Sequence, residues 1–211
     1  FSTTEESILE RTVQRQPEKT RIAEAALALI PQGLTGSILI DAGSTTEALA
    51  ELLSARAAGA AAQGTAPGPG SDAELVVITH SLPIASRLSG GPGIALHLLG
   101  GKVRGLTQAA VGQSTVEAAR RIRPDIAFIG TNGIHAAFGL STPDPEEAAV
   151  KAAFVQSARR IVVLADSSKL DAETLVQFAS LKDLDTVITD TQPSRELADA
   201  LAEAGVEVVV A

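Results

Sequence analysis

The chain has 211 residues, 45% of them hydrophobic, which suffices for one sizeable α/β core without requiring a second domain. Met, Cys, Trp and Tyr are absent, so disulfides and thiolate chemistry are excluded and Ala, Val, Ile and Leu must build the core beside five Phe. With 25 acidic against 17 basic residues, a net charge of −8 and a pI near 4.9, the chain lacks the clustered cations of a large nucleic-acid surface, though a small anion needs only a few local donors.

The start, FSTTEESILERTVQRQ, is polar and unlike a signal peptide, and no apolar run of membrane-spanning length occurs anywhere, so no membrane partner and a cytoplasmic location are expected. Beginning at Phe1 without a Met, the chain reads as a fragment or a trimmed product. Apolar residues at helical spacing predict a helix from Glu18 to Ile30, with Pro17 tolerated at its first turn. After Gly33 and Gly36 the run Ser37–Ile40 reads as a strand, Ala42–Thr46 as a tight loop, and Glu47 to about Leu53 as a helix. Residues 54–74 are rich in Ala, Gly and Pro without periodicity and predict a frayed helix end followed by a surface loop, with 57–72 a flexible insert.

Strand-like runs recur at 75–79, 94–99, 125–130, 161–165, 185–189 and 206–210, separated by helical patterns such as Ser114–Ile122, Pro145–Arg160 and Pro193–Ala204. Several runs are apolar throughout, as strands buried on both faces are. The fold class is therefore α/β: a single domain with a mostly parallel, twisted sheet of about seven strands and helices on both faces.

Ligands of such sheets sit beyond the carboxyl ends of the strands. The residues there are Asp41, Gly43, Ser44, Thr45 and Thr46 after the first strand, and Thr79, His80 and Ser81 after the second. Gly100, Gly101, Lys102 and Arg104 follow the third, Thr131, Asn132 and Gly133 the fourth, and Asp166, Ser167, Ser168 and Lys169 the fifth. Hydroxyls, glycines and a few cations are the groups that hold an oxyanion and sugar hydroxyls. The sharpest signal is Asp41–Thr46 opening a helix, where unpaired amides receive phosphate; the alternative is that Ser44 or Thr45 is an ordinary N-cap. Lys169 at a strand end can add a point charge. Glu147 and Lys151, four apart on a helix, read either as a surface ion pair or as a pair facing the crevice. His80, His97 and His135 lack metal-ligand spacing, so no metal site is expected, and no GxSxG, P-loop or GxGxxG motif opens a helix.

Seven ordered segments, ERTVQRQPEKTRIAEAA, ILIDAGSTT, VVITHSLPIA, LLGGKVR, DIAFIGTNGI, GLSTPDPEEAAVK and VVLADSSK, together resemble the C-terminal sensor domain of the DeoR-family repressors from about Glu10 onward. The resemblance implies a fold similar to ribose-5-phosphate isomerase and the coenzyme A transferases. It implies a phosphorylated sugar or polyol as effector, and operator DNA bound through an N-terminal helix-turn-helix domain, of which residues 1–16 would be the linker and 17–211 the effector domain. It implies a phosphate seat of Asp41, Gly43, Ser44, Thr45, Thr46 and Lys169. The sugar set comprises Thr79, His80, Ser81, Gly101, Arg104, Thr131, Asn132, Gly133, Glu147, Lys151 and Asp166, part implied by the resemblance and part by strand-end position. A homodimer or homotetramer is expected, with no cofactor. The 57–72 insert departs from the family pattern but leaves the motifs intact. The rival is a sugar-phosphate isomerase, which needs a carboxylate base; the segment after DIAFI reads Gly130-Thr131-Asn132-Gly133, which has none, and only Glu147 remains as a possible base, so binding without turnover is expected.

Overall fold

A computed structural model describes residues 5–31, 35–68, 70–71 and 73–211. Phe1–Thr4 of the expected arm, Gly33 before the first strand, and Pro69 and Asp72 of the expected insert lie outside the described residues. In chain order the elements are α1 (Ile8–Val13), α2 (Gln16–Ala28), β1 (Gly36–Ile40), α3 (Ser44–Ala62), β2 (Leu75–Thr79), α4 (Leu82–Leu88), β3 (Ile94–Leu98), β4 (Lys102–Arg104) and β5 (Ala109–Val111). There follow α5 (Gln113–Arg120), β6 (Ile126–Gly130), β7 (Gly133–His135), β8 (Gly139–Thr142), α6 (Pro145–Ser157), β9 (Arg160–Leu164), β10 (Val176–Ala179), β11 (Thr186–Thr189), α7 (Arg195–Glu203) and β12 (Glu207–Val210).

Seven strands form one sheet in the order β12-β11-β9-β6-β1-β2-β3, parallel throughout. The predicted strands match these seven to within a residue. Their apolar character on both faces has its cause in two cores. Ile38, Ile40, Val77, Phe128 and Val162 pack beneath α2, α3 and α4, through Ile22, Leu49, Leu53, Ile84 and Leu88. Leu39, Ile129, Ile161, Val163 and Val187 pack beneath α5, α6 and α7, through Val116, Val150, Phe154, Leu197 and Leu201.

Chain order runs outward from β1 to β2 and β3, then returns to β6 on the other side of β1. The strand order reverses between β1 and β6, and a crevice opens at such a switch point. Two small antiparallel sheets, β4-β5 and β10-β8-β7, supplement the rim. Their strands of three or four residues are too short to display a period.

Two predicted boundaries are corrected. The helix read as ending near Leu53 continues as α3 to Ala62, six residues into the 57–72 stretch, because alanine is the strongest helix former and the run SARAAGAAA needs no apolar stripe to stay helical. The arm read over residues 1–16 contains α1, nucleated by a capping box: Ser7 Oγ accepts from the Glu10 amide, and the Ser7 amide donates to Glu10 Oε2 at 2.9 Å.

Candidate functional site

The β1–β6 switch point places Asp41 at the floor of the crevice, fully buried. Its carboxylate accepts from the Gly130 amide at 3.0 Å and from the Lys151 ammonium, which also donates to the Gly130 carbonyl at 3.0 Å. His80 Nε2 stands 2.9 Å from the other Asp41 oxygen, and His80 Nδ1 faces the Ala110 carbonyl at 2.8 Å. Burial alone would raise the Asp41 carboxyl, but Lys151 and His80 outweigh it and hold it below the usual carboxylate range. The floor is thus a neutralised, hydrogen-bonded lock between β1, β2, β6 and α6.

Above it the first turn of α3 is open. Gly43, with φ +153, occupies the N-cap position, and no side-chain cap is present. The first bond of the helix runs from the Glu47 amide to the Gly43 carbonyl at 2.9 Å, so the amides of Ser44, Thr45 and Thr46 precede the ladder. Neither Ser44 nor Thr45 is the cap, so the N-cap alternative does not hold. Thr46 spends its hydroxyl on the Gly43 carbonyl at 2.8 Å. A side chain at residue 43 would carry a Cβ 3.3 Å from Thr46 Oγ1 and force an unfavourable φ.

Opposite this turn stands Lys169, which has no ion pair among the described residues, at the end of a short 3-10 turn over Ser167–Lys169. Asp166, buried, caps that turn by accepting from the Ser168 amide at 2.9 Å. A third wall comes from α1 and α2, which supply Arg11, Gln14, Arg15 and Lys19. Lys19 is buried and donates to the Arg11 carbonyl. Burial pushes its ammonium below the usual lysine range, against a partial restoring pull from Asp166. Arg15 reaches Ser167, Asp166 at 3.6 Å and Asp190 at 3.7 Å.

The crevice wall also includes Thr107, Thr131, Asn132, Glu147 and Lys151. Glu147 accepts from Thr107 Oγ1 and from Arg104 at 2.9 Å; Arg104 also holds Glu5 at 2.8 Å. Those carboxylates, Glu5 foremost, push the Arg104 guanidinium above its usual range against the effect of burial. The enclosed space is about 50 Å3, and it continues past Arg11, Asn132 and Lys169 into a cleft of about 330 Å3. At about 10–15 Å3 per water, the interior holds a few waters.

Of the predicted site residues, Gly43, Ser44, Thr45, Thr46, Thr131, Asn132, Glu147, Lys151, Asp166 and Lys169 come together on one crevice. Glu147 and Lys151 are both buried against it, so the surface-pair reading is overturned. Asp41 and His80 lie beneath the crevice rather than on its wall. Thr79 donates to the Ile40 carbonyl at 2.6 Å and Ser81 caps α4, so both hydroxyls are engaged in the fold. Gly101 is a packing position, where a Cβ would overlap Thr115 Oγ1 and the Val111 carbonyl, and Gly133 lies in the same way against Ala172. Arg104 stands behind Glu147. Arg11, Arg15 and Lys19 were missed because they come from the N-terminal segment and not from a strand end; three cations spaced four apart in an acidic chain were the available signal.

Fold and crevice together define an α/β domain with an open crevice, lined by several cations, at the sheet's switch point. The sequence matches the model of one family, the DeoR C terminal sensor domain, over residues 14–191, and the chain belongs to that family. It is 33% identical over 193 residues to the HTH-type transcriptional repressor GlcR of Bacillus subtilis, covering 92% of this chain and 67% of that protein. It is 31% identical over 205 residues to the HTH-type transcriptional regulator GlpR of Haloferax volcanii, covering 97% and 73%. The glycerol-3-phosphate regulon repressor of Escherichia coli is 26% identical, with 92% and 70% covered. Among solved structures, ribose 5-phosphate isomerase A of Methanocaldococcus jannaschii superposes with a TM-score of 0.50 at 19% identity, over 74% of this chain and 55% of that one. The eIF2B-beta2-delta2 complex of C. thermophilum gives 0.50 at 15% identity, over 96% and 57%. These two likenesses concern the fold.

Proposed function

We propose that this chain is the effector-binding part of a transcriptional repressor of carbohydrate metabolism, and that it binds a phosphorylated sugar or polyol in the β1–β6 crevice. The observation that carries this reading is the open first turn of α3 facing two cations, Lys169, which has no ion pair among the described residues, and the buried Lys19. A dianion supplies the acceptor that three amides lack and the counter-charge that a desolvated ammonium requires. Asp166 positions the Lys169 turn, while Thr131, Asn132, Glu147 and Lys151 offer donors and acceptors to hydroxyls. Arg104 acts through Glu147, and Asp41, with His80, acts through Lys151. The relatives' printed names, HTH regulators among them a glycerol-3-phosphate regulon repressor, support operator DNA as a partner through a separate DNA-binding domain. A homodimer or homotetramer fits reading of repeated half-sites.

Binding without turnover is favoured over isomerisation. The residues after β6 offer no carboxylate, and Glu147 is already engaged by Thr107 and Arg104. The deciding experiment is a thermal-denaturation screen against sugar phosphates with their unphosphorylated counterparts as controls. Stabilisation of about 2.7 kcal/mol is expected at a ligand concentration one hundred times Kd. Equal shifts with and without the phosphate group would refute the reading, and steady turnover of an aldose phosphate would restore the isomerase.

A further inference from the structure

The segment that closes the crevice, from Ser7 to Lys19, is attached in an incomplete way. At six residues α1 is far too short to hold its shape alone in water, so it is helical only while docked. Away from the ligand the docking is well made. Ile8 is 2% exposed, its amide donates to the Leu106 carbonyl at 2.9 Å, and Glu5 pairs with Arg104 at 2.8 Å. On the side facing the crevice and α3 the contacts are unfinished. Arg11 Nε and Glu47 Oε1 are both buried without a hydrogen-bond partner among the described residues, while Thr12 reaches the other Glu47 oxygen only at 3.4 Å. Arg11, Lys19 and Lys169 all line the crevice, with like charges opposing one another. The junction with α2 turns through Arg15 at φ 52 and ψ 39, a left-handed conformation that side chains rarely adopt, and Arg15's side chain ties it to Ser167, Asp166 and Asp190 on the rim.

Resting on the sugar-phosphate reading above, we infer that α1 is a ligand-gated roof, whose closure over the crevice is completed by the phosphate itself. A dianion on the first turn of α3 gives Arg11 the acceptor it lacks and removes the repulsion among Arg11, Lys19 and Lys169. With α1 lifted about the Gln14–Arg15 hinge, Arg11 no longer reaches the seat. The docked arrangement therefore binds the anion more tightly, and this differential affinity is what allows the ligand to shift α1. Reciprocity follows: whatever loosens α1 weakens the ligand by the same factor.

The test is hydrogen exchange read by mass spectrometry on the full chain, alone and saturated with inorganic phosphate or with each hexose or triose phosphate that raises its melting temperature. Amides of residues 8–15 are expected to exchange at least about tenfold more slowly with ligand, together with those of 44–46. Ile8→Ala, a change outside the crevice wall, is expected to weaken the same ligand several-fold by calorimetry. Slowing confined to 44–46, or faster exchange in 8–15, overturns the roof and leaves the sugar-phosphate reading standing. A panel in which no compound binds overturns both. Should Ile8→Ala fail to fold, exchange in the unsubstituted chain decides the matter alone.

Discussion

Lys169 and Lys19 line the same crevice in different electrostatic states. Lys169 is half-buried and unpaired, so its charge is available at little further cost. Replacing it with Ala is expected to weaken a phosphorylated ligand by about 1.5–3 kcal/mol, the range for a hydrogen bond to a charged group, measured by titration calorimetry. The floor of the crevice is a matter of stability. Removing one member of a buried ion pair leaves the other uncompensated, so Asp41→Asn should destabilise by about 3–5 kcal/mol in urea unfolding. The sign with pH follows from the direction of the shift. Asp41 titrates lower folded than unfolded, so its contribution is complete above its unfolded value near 3.9 and is lost as pH falls through the folded one. Glu47 is the opposite case: burial raises it, so the folded chain gains stability on acidification through that value. Glu47→Gln is therefore expected to leave the melting temperature at neutral pH unchanged or higher, and a clear drop would contradict the reading of Glu47 as an unsatisfied carboxylate.

At the scale of elements, what could be read from the chain depended on length and burial. The sheet strands announce themselves most clearly where both faces are covered, because such a strand is largely apolar, as LVVIT and RIVVL are at four of five positions. The rim strands do not: GIH and KVR carry no pattern in three residues, and each is held by the antiparallel strand that follows it, β8 and β5. The open first turn of α3 was legible because its chemistry is local, a glycine followed by hydroxyls at a helix start. The α1 wall was harder, since its cations matter only once the segment folds back onto the sheet, and its capping box was not read from the sequence. Gly101 shows the converse error. A glycine after a strand suggested ligand approach, whereas β4 and α5 approach each other there. Gly101→Ala is expected to cost about 1–3 kcal/mol by overpacking while leaving ligand affinity per folded molecule unchanged, a separation that denaturation and calorimetry together can check.

For the whole molecule, a net charge of −8 opposes the approach of a dianion, while the crevice cations act at contact. Added salt screens the distant repulsion within a Debye length of about 10 Å at 0.1 M and screens buried pairs much less. Affinity for a sugar phosphate is therefore expected to fall by less than about tenfold between low and moderate salt; a steep loss would place the binding on exposed surface charges instead. The same sheet has one further consequence. Because its seven strands all run one way, every carboxyl end faces a single rim, and the segment leading into α2 crosses that rim. A module joined ahead of Glu5 would be tethered a few residues from the crevice, so under the proposed reading a message between it and a bound effector needs no relay through the interior: the lever arm is the six residues of α1.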